Sequence, residues 1–314
     1  MQTSRRSILK GSILASLAGT MGATAMSASA AEKQAALPKK EYDLVICGLG
    51  IGGIVTAIRA AQDGLKPVIL EKMSSASGNT IYSAGFMLGV NTKMQQEKKL
   101  ETGDTVDKFY EDMMKVSQGR GDPKLTRLVA EKADETLNWL HDYVGVKYAV
   151  GMKLVWPMLQ RAHLTIGEKK PGGTQLMLYL LAKAKELNVP IVYNAKAVEL
   201  LDNPQNGKVI GVKVKSKEGF EEYFGKYGVV MATGGFSANK MMLTMMAGVP
   251  AANMPVRGSH SVTGESILLT GPYFPKVVNV DQYHCGPIHG PTGANPLNIV
   301  NTGIAVSKET KRYT

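Results

Sequence analysis

The order of apolar and polar residues predicts a strand, a helix and a second strand near the start of the chain. Residues 44–46 form an unbroken apolar run, which suits a strand buried on both faces. Small and apolar residues from Ile51 onward keep helical spacing, and Gly64 is suited to end that helix. The apolar run at residues 67–70 predicts the next strand. This order is typical of a βαβ unit in a parallel sheet.

Three further helices are predicted downstream. Residues 104–116 keep helical spacing, and Asp122 followed by Pro123 is a good helix start, because aspartate caps free N–H groups and proline fits the first helical position. Another helix is expected after Gly172 and Gly173. The last two helices are expected to pack apolar side chains into the core: Leu125, Leu128, Val129, Ala133, Leu137 and Leu140 on the first, and Leu176, Leu180, Leu181, Ala184 and Leu187 on the second.

From Pro190 onward the hydrophobic period changes to that of strands. Strands are predicted at residues 191–201, 208–216, 221–226 and 228–233, separated by turn-forming stretches rich in Gly, Asn and Pro. They predict a β-meander that returns to the nucleotide-binding fold. Residues 74–86 are too rich in small polar residues for a helix or a buried strand, so we predict a loop there that closes over a ligand.

The turn between the first strand and the first helix carries a dinucleotide-binding motif. Gly48, Gly50 and Gly53 form the pattern Gly-x-Gly-x-x-Gly. The first glycine permits the tight turn, the second lets the backbone approach a pyrophosphate, and the third lets the helix lie close to the strand. Glu71, at the end of the second strand, is suited to accept a hydrogen bond from a ribose hydroxyl. An acid at this point favours FAD or NAD over NADP.

Composition and charge limit the class of protein. Of the 314 residues 44% are apolar and 20% are charged, which describes a globular chain rather than a disordered one. The formal net charge is +11, and residues 1–31 carry three cations and no acid, which leaves +8 on the rest. The lysines are scattered, so we expect a solvated surface that mildly attracts anionic ligands, and no nucleic-acid partner.

Residues 1–31 have the features of a signal peptide. Arg5 and Arg6 form a twin-arginine pattern, a weakly apolar stretch follows, and residues 28–30 match the Ala-x-Ala cleavage pattern. The segment is too short and too polar to span a bilayer, so we expect no stable membrane anchor. We predict export to the periplasm by the twin-arginine (Tat) machinery. This route carries folded proteins, which suits a protein that takes up its cofactor first.

Cys47 and Cys285 are the only cysteines. Cys47 falls at the end of the first predicted strand, which indicates a small core residue rather than a disulfide partner, although a bond between the two is chemically possible. The sequence has no C-x-x-C-H motif, which excludes a c-type haem attached to these 314 residues. It also has no cluster of Cys and His with the spacing of zinc or iron–sulfur ligands, so no metal site is expected.

Five stretches together resemble the flavoprotein subunits of fumarate reductase and succinate dehydrogenase, particularly the soluble periplasmic fumarate reductases of the flavocytochrome c type. These stretches are residues 48–72, 77–85, 231–236, 263–265 and 281–285. The resemblance covers residues 40–314 and implies an α/β fold: a Rossmann-like FAD-binding domain with a parallel sheet and a β-meander, plus the start of a capping domain. The implied domain boundaries are a signal peptide at 1–31, a linker at 32–40, the FAD-binding domain at 41–283 and the capping domain from 284 to 314.

The resemblance implies which residues hold FAD. Gly48, Gly50 and Gly53 would cradle the pyrophosphate and Glu71 would bind the ribose, whereas the backbone of Val198 would contact adenine. Asn79 and Thr80, together with Ser83 and Gly85, would line the isoalloxazine ring. Glu265 and Ser266 stand where the family usually has Asp and Gly. The full implied set is Gly48, Gly50, Gly53, Glu71, Lys72, Asn79, Thr80, Ser83, Gly85, Val198, Thr233, Gly234, Gly235 and Glu265.

Histidines distinguish members of this family. The membrane-bound members attach FAD to a histidine soon after the second strand, and this chain has no histidine before Trp139, so the resemblance implies noncovalent FAD. His284 corresponds to a substrate-binding histidine and would donate a hydrogen bond to a substrate carboxylate, although a structural histidine is an equal alternative. His260 is a second candidate. Arg161 and His163 match an Arg-Ala-His stretch that we expect to be structural or close to the flavin.

The sequence departs from the family pattern after His284. The family's Met-x-Thr-Glu-x-x-Arg segment, which binds substrate and relays protons, has no counterpart in residues 291–300. The family's catalytic arginine would lie beyond residue 314. We therefore expect a C-terminally truncated copy that lacks most of the capping domain and the return segment that completes the FAD site. We also expect an acceptor other than fumarate.

The sequence predicts an FAD-dependent oxidoreductase that reduces the carbon–carbon double bond of a small, enoate-like acceptor. A separate periplasmic cytochrome-type donor would supply the electrons. Two alternatives stay open. A flavin-dependent ketosteroid-type dehydrogenase has nearly the same fingerprint, but would need an apolar slot instead of several cations. A non-catalytic flavin-binding subunit would need a partner chain that supplies the missing half.

Overall fold

A computed structural model describes residues 37–100, 103–153, 159–168 and 172–283. The chain divides into two compact units. The first contains the residues up to Asn239 together with Gly258–Lys276, and the second contains Lys240–Arg257 together with the residues from Val277 onward. Within the described ranges, no helix is long and apolar enough to cross a bilayer.

The strands of the described residues are β1 (Lys39–Tyr42), β2 (Leu44–Cys47), β3 (Pro67–Leu70), β4 (Phe86–Leu88), β5 (Lys147–Met152), β6 (Ala162–Ile166), β7 (Ile191–Val192), β8 (Lys196–Asp202), β9 (Val209–Lys215), β10 (Phe220–Gly225) and β11 (Val229–Met231). The α-helices are α1 (Ile51–Gln62), α2 (Asn79–Tyr82), α3 (Lys93–Glu97), α4 (Val106–Val116), α5 (Pro123–Trp139), α6 (Gly173–Glu186), α7 (Lys240–Ala247), α8 (Val249–Asn253) and α9 (Glu265–Thr270). A π-helical turn (Leu140–Val144) follows α5, and a 3-10 turn (Gly271–Tyr273) follows α9.

A four-stranded parallel sheet forms the centre of the first unit. Its strand order is β11-β2-β3-β7, which confirms the predicted βαβ unit. On one face, Ile46 and Ile69 pack with Ile54 and Ile58 of α1 and with Leu180 of α6. Because both faces of β2 and β3 are covered, their sequences are continuous apolar runs rather than alternating ones.

The β-meander covers the other face of the parallel sheet. β8, β9 and β10 are antiparallel neighbours, and β1 extends this second sheet by pairing parallel to β10. Val45 and Val68 of the parallel sheet pack against Val212, Val214 and Tyr223 of the meander. The chain then enters β11, which lies beside β2, so the predicted return to the nucleotide-binding fold is confirmed.

Three predictions about local structure are wrong. The strand predicted at residues 191–201 is two strands, β7 in the parallel sheet and β8 in the meander. The stretch predicted as a loop contains the short helix α2, and its last residue, Phe86, opens β4 of a small β4-β6-β5 sheet that the sequence did not predict. Of the apolar face predicted for α5, Leu137 and Leu140 are buried, whereas Leu125, Leu128 and Val129 are 62%, 51% and 54% exposed. The helix carries two apolar stripes, and the stripe that includes Ala130 is the one that packs against Phe109 of α4.

The remaining helix predictions are confirmed. The Asp122 carboxylate accepts hydrogen bonds from the N–H groups of Lys124 and Leu125, so it caps α5 as expected. In α6, Leu176, Leu180 and Ala184 are buried. Leu181 and Leu187 of the same prediction are partly buried and pack at the edge of the core.

Candidate cofactor site

A cavity of about 380 Å³ in the first unit is lined by the carboxyl ends of β2 and β3 and by residues that follow β11. This is where ligands bind in open α/β sheets, and the volume lies within the usual range for small-molecule sites. Nine of the sequence-predicted residues line it: Gly48, Gly50, Glu71, Lys72, Asn79, Thr80, Thr233, Gly234 and Glu265.

Two of the three motif glycines are required by close backbone contacts. Gly48 has a φ of +112°, and a Cβ atom there would lie 2.4 Å from the carbonyl oxygen of Ala232. A Cβ atom on Gly53 would lie 2.0 Å from the carbonyl oxygen of Gly48, which explains how α1 approaches β2. Gly50 instead faces the cavity, and its nearest neighbour would be the Thr80 hydroxyl at 3.8 Å. The first and third glycines therefore build the turn, and the second leaves room for a ligand.

Glu71 lies at the cavity wall and is buried. Its Oε2 accepts a hydrogen bond from the N–H of Leu49 at 2.9 Å, and its Oε1 accepts one from the N–H of Met73 at 2.8 Å. A carboxylate can accept about four hydrogen bonds. Glu71 is thus fixed by the backbone and keeps acceptor capacity for a ribose hydroxyl.

Glu265 belongs to a second polar group at the cavity. Its Oε1 lies 2.5 Å from Lys72 Nζ and accepts a hydrogen bond from the Thr263 hydroxyl at 2.6 Å. Burial would raise the pKa of Glu265, but the hydrogen bonds from Lys72 and Thr263 hold it below its ordinary value. Its Oε2 is buried without a hydrogen-bond partner among the described residues. A buried charged oxygen needs a hydrogen-bond donor, and a bound ligand can supply the donor that Oε2 lacks.

The two departures from the family pattern at 265 and 266 each have a partner in the nucleotide-binding fold. Glu265 pairs with Lys72, as described above. The hydroxyl of Ser266 lies 2.6 Å from the hydroxyl of Thr233, and Thr233 Oγ1 accepts a hydrogen bond from the Ser266 N–H at 3.0 Å. Thr233 therefore fixes the first turn of α9 as well as lining the cavity.

Asn79 and Thr80 connect two distant segments at the cavity. Thr80 Oγ1 accepts a hydrogen bond from the N–H of Ile51 at 3.0 Å, and Asn79 Oδ1 accepts one from the N–H of Ser259 at 2.8 Å. Ser261 also lines the cavity, and its hydroxyl lies 3.2 Å from that of Ser77. The sequence analysis missed Ser259 and Ser261, because nothing in their local pattern indicates contact with residues about 180 positions earlier.

Five predicted residues are not among those that line the cavity: Gly53, Ser83, Gly85, Val198 and Gly235. Gly85 has a φ of +75°, and a Cβ atom there would lie 2.3 Å from Gly172 Cα. Ser83 accepts a hydrogen bond at its carbonyl oxygen from the Gly173 N–H at 3.0 Å. In this structure Ser83 and Gly85 thus hold the α2–β4 segment against the start of α6.

Val198 lies next to the cavity wall on β8. The pairing register between β8 and β9 shifts between Ala197 and Glu199, so Val198 is the extra residue of a β-bulge. A bulge disrupts the hydrogen-bond ladder locally. Its neighbour Ala197 lines the cavity, so the predicted backbone contact between Val198 and adenine stays a prediction that this local geometry supports.

Cys47 lines the cavity and is a free, buried thiol, as the sequence predicted for a core residue. Burial raises the pKa of this thiol to about 12, which keeps it neutral and unreactive at pH 7. Cys285 lies outside the described residues. No group of three or more His, Cys, Asp or Glu suited to a metal occurs in the part of the chain that the structure describes.

Arg161 and His163 are structural residues of the β6 region and do not line the cavity. The Arg161 guanidinium pairs with two carboxylates. Its Nε lies 2.5 Å from Asp104 Oδ2, and its Nη2 lies 2.7 Å from Asp104 Oδ1 and 2.8 Å from Asp112 Oδ2. His163 is fully buried, with Nδ1 2.9 Å from the Arg161 carbonyl oxygen and Nε2 2.7 Å from the Thr92 hydroxyl. These contacts support the structural alternative, and the alternative that places both residues close to the flavin stays a prediction.

The two candidate substrate histidines have different outcomes. His284 lies outside the described residues, as does the predicted signal peptide, so both stay predictions. His260 is exposed and lies between Ser259 and Ser261. His260 is not among the residues that line the cavity.

The cavity residues fit FAD. The glycine turn, the N-terminus of the 12-residue helix α1 and Glu71 supply the features that a dinucleotide needs, and Glu265 Oε2 offers an acceptor without a partner. Gly48, Gly50 and the first turn of α1 would hold the pyrophosphate, and Glu71 would hold the adenosine ribose.

Known proteins agree with this assignment. "Probable fumarate reductase Ifc3" of Shewanella frigidimarina is 27% identical over 282 residues, which are 89% of this chain and 47% of that protein. A flavocytochrome c3 fumarate reductase structure in an open conformation matches with a TM-score of 0.69 and 28% identity, covering 74% of this chain and 40% of that one. A 3-ketosteroid-Δ4-(5α)-dehydrogenase structure from Rhodococcus jostii RHA1 matches with a TM-score of 0.69 and 26% identity, covering 80% of this chain and 57% of that one.

The chain thus spans about half the length of the fumarate reductase that it matches. The family described as "FAD binding domain" matches residues 43–270, which include the glycine turn, the cavity and the meander. The chain belongs to this FAD binding domain family, and its cofactor is FAD.

Proposed function

We propose that this chain is the flavin-binding part of an FAD-dependent reductase of the fumarate reductase type. Its acceptor is a small enoate, a compound with a carbon–carbon double bond conjugated to a carboxylate. The observation that carries the proposal is the similarity to a fumarate reductase over 89% of the chain, together with a cavity whose residues fit FAD.

In the proposed site, some residues of this chain bind the cofactor and others bind the substrate. Bound FAD supplies a hydride equivalent at its isoalloxazine ring. The glycine turn and α1 bind the pyrophosphate, and Glu71 and Glu265 accept hydrogen bonds from cofactor hydroxyls. His284 donates a hydrogen bond to the substrate carboxylate in this proposal, and it lies outside the described residues.

The proposal extends to the setting of the reaction. FAD is bound noncovalently, because no histidine precedes Trp139 in the sequence. The electrons come from a cytochrome-type donor, expected from the sequence to be a separate protein; the similarity to a flavocytochrome structure supports a donor of this type. The twin-arginine pattern at Arg5 and Arg6 supports a periplasmic location and export by the Tat machinery.

A ketosteroid-type dehydrogenase is the second candidate. The Rhodococcus jostii structure matches a larger share of this chain than the flavocytochrome structure does, 80% against 74%, at the same TM-score. The two candidates differ in substrate polarity, since a steroid needs an apolar slot and an enoate needs cations. A non-catalytic flavin-binding subunit with a partner chain is the remaining alternative from the sequence.

The first test is to express the chain and record its absorbance before and after acid precipitation. Flavin released into the supernatant supports noncovalent FAD, and flavin retained in the pellet contradicts it. The yellow protein is then assayed for oxidation of reduced methyl viologen by fumarate, acrylate or urocanate, and for reduction of a dye by a 3-ketosteroid.

Viologen oxidation with an enoate supports the proposal, and dye reduction with only the steroid supports the dehydrogenase. Flavin binding without either activity means that catalysis needs a further segment or a partner chain, which both the proposal and the non-catalytic subunit allow. The matched control is Gly48→Ala, because a Cβ atom 2.4 Å from Ala232 O and a φ of +112° should prevent FAD binding and abolish any flavin-dependent signal.

A further inference from the structure

Residues 77–80, which we call the strap, cross the turn that opens α1. Thr80 Oγ1 accepts a hydrogen bond from the N–H of Ile51, the first residue of α1, at 3.0 Å. A Cβ atom on Gly78 would lie 3.8 Å from Gly50 Cα, so the backbone of the strap also runs close to the turn. The strap and the first turn of α1 therefore form one wall of the cavity.

The Thr80 hydroxyl keeps one hydrogen available. Its oxygen accepts the bond from Ile51, and its own hydrogen has no acceptor among the residues that the structure describes. A hydroxyl that accepts from one group can donate to another at the same time. Thr80 also lines the cavity, so a ligand oxygen can serve as the acceptor.

In a dinucleotide-binding fold, the group that lies over the first turn of this helix is the pyrophosphate. We propose that the Thr80 hydroxyl, which accepts a hydrogen bond from the Ile51 N–H, donates a hydrogen bond to the FAD pyrophosphate. This differs from the expectation drawn from the sequence, in which Thr80 lines the isoalloxazine ring. The proposal rests on FAD binding, and it holds whether or not the reductase activity is found.

Contacts on both sides fix the strap in the position that this role requires. Asn79 Oδ1 accepts from the Ser259 N–H at 2.8 Å, and the Ser77 and Ser261 hydroxyls lie 3.2 Å apart. The Thr80 carbonyl oxygen accepts from the Ser83 hydroxyl at 2.8 Å. A group held in place before binding loses less entropy on binding, which strengthens its hydrogen bond to the ligand.

The test compares ADP and FAD, which share the adenosine and the pyrophosphate but differ in the flavin. Dissociation constants are measured by calorimetry on the full chain after its flavin has been removed. In Thr80→Val the hydroxyl is replaced by a methyl group of similar size. We expect both ligands to bind about tenfold more weakly, because a donor to a charged acceptor is lost.

Two controls separate this effect from a general loss of structure. Thr80→Ser keeps the hydroxyl and should stay within about twofold of the wild type, since the donor is retained. Thr174→Val makes the same chemical change at an exposed threonine, whose hydroxyl donates to the Ile81 carbonyl oxygen at 3.0 Å outside the cavity, and it should leave both affinities unchanged. If Thr80→Val does not fold, Thr80→Cys replaces it, because a thiol is a weak donor of similar size to serine.

Other outcomes would overturn the proposal. Weaker binding of FAD with unchanged binding of ADP would return Thr80 to the isoalloxazine ring. Tighter binding of both ligands would mean that Thr80 competes with the pyrophosphate for the Ile51 N–H. Unchanged binding of both, or a wild-type chain that does not bind ADP, would show that Thr80 does not serve a pyrophosphate.

Discussion

Two buried clusters in the first unit each pair a cationic side chain with one or more carboxylates, but they differ in whether a buried carboxylate oxygen lacks a partner among the described residues. In the Arg161 cluster, one guanidinium contacts Asp104 and Asp112, and the Arg161 and Asp104 side chains are 6% and 1% exposed. In the cavity cluster, Lys72 and Thr263 contact Glu265, whose side chain is 10% exposed. The guanidinium of the first cluster reaches two carboxylates, whereas the second leaves Glu265 Oε2 without a partner among the described residues.

The difference separates residues that hold the fold from residues that await a ligand. A buried charge is costly, so removing one partner of a fully paired cluster is strongly destabilising. A buried acceptor without a hydrogen bond destabilises the ligand-free protein, and a ligand that donates to it removes this destabilisation. The Arg161 cluster should therefore affect stability, and the cavity cluster should affect affinity for FAD.

The largest expected effect is that of Arg161→Met. The change leaves the Asp104 and Asp112 carboxylates without their shared cation, so the free energy of unfolding should fall by about 3–5 kcal/mol. Urea denaturation measures it. The control Arg127→Met removes a partly exposed arginine that pairs with the exposed Asp107 and stacks on Tyr110, and it should cost about 1 kcal/mol. If Arg161→Met kept its stability and lost FAD affinity, the division between the clusters would be wrong.

Neighbouring glycines test the backbone wall of the cavity. In Gly53→Ala the new methyl group would lie 2.0 Å from Gly48 O, so α1 must move. We expect a loss of about 1–3 kcal/mol in stability together with weaker FAD binding. Gly52→Ala is the matched control for stability only, because no protein atom lies within 4 Å of a Cβ there but Gly52 itself lines the cavity. Urea denaturation of both variants decides, and an equal loss of stability would contradict the packing role of Gly53.

Glu265→Gln tests the cavity cluster directly. The amide loses the negative charge that would accept hydrogen bonds from FAD hydroxyls, so we expect FAD to bind about tenfold more weakly. The stability loss should be smaller than that of Arg161→Met, because the Lys72 side chain that loses its partner is 21% exposed and can be solvated. Flavin fluorescence titration measures the affinity. Glu135→Gln, at an exposed glutamate paired with Lys132, should change neither quantity. A large stability loss with unchanged affinity would make the cavity cluster a structural one.

The smallest expected effect concerns pH. Burial lowers the pKa of His163 below its ordinary value of 6.5. The unfolded chain then binds the proton more readily than the folded one, so the stability that His163 contributes is present above about pH 6.5 and is lost as the pH falls below it. Urea denaturation at about pH 7.5 and 5.5 should show a loss of up to about 1 kcal/mol in the wild type. His163→Gln should remove this loss, and His260→Gln, at an exposed position, should keep it.

Local patterns in the sequence were sufficient for most of the fold. The apolar runs at β2 and β3, the cap at Asp122, the helix that begins near Gly173 and the strands of the meander all follow from short-range rules, and each is present in the structure. The motif glycines are predictable for the same reason, since a tight turn demands them whatever the rest of the chain does.

Local patterns did not predict which residues are buried where two faces of one helix carry apolar residues at helical spacing. The apolar stripe with Leu125 and Leu128 has the same helical spacing as the stripe with Ala130, and only packing against α4 decides which is buried. In the same way, the small polar residues before Phe86 allow a loop, but contacts with Ile51 and Gly173 stabilise a short helix among them.

The sequence by itself determined the βαβ unit, the meander and the glycine turn at the cavity, because each depends on neighbours in the chain. Only the tertiary structure decided that Lys72 pairs with Glu265, 193 positions later, that Asn79 meets Ser259, and that Arg161 holds Asp104 in the core. These pairs depend on how strands and helices are arranged around the sheet. A residue's own neighbours carry no record of that arrangement, because side chains distant in sequence meet only when the core has packed.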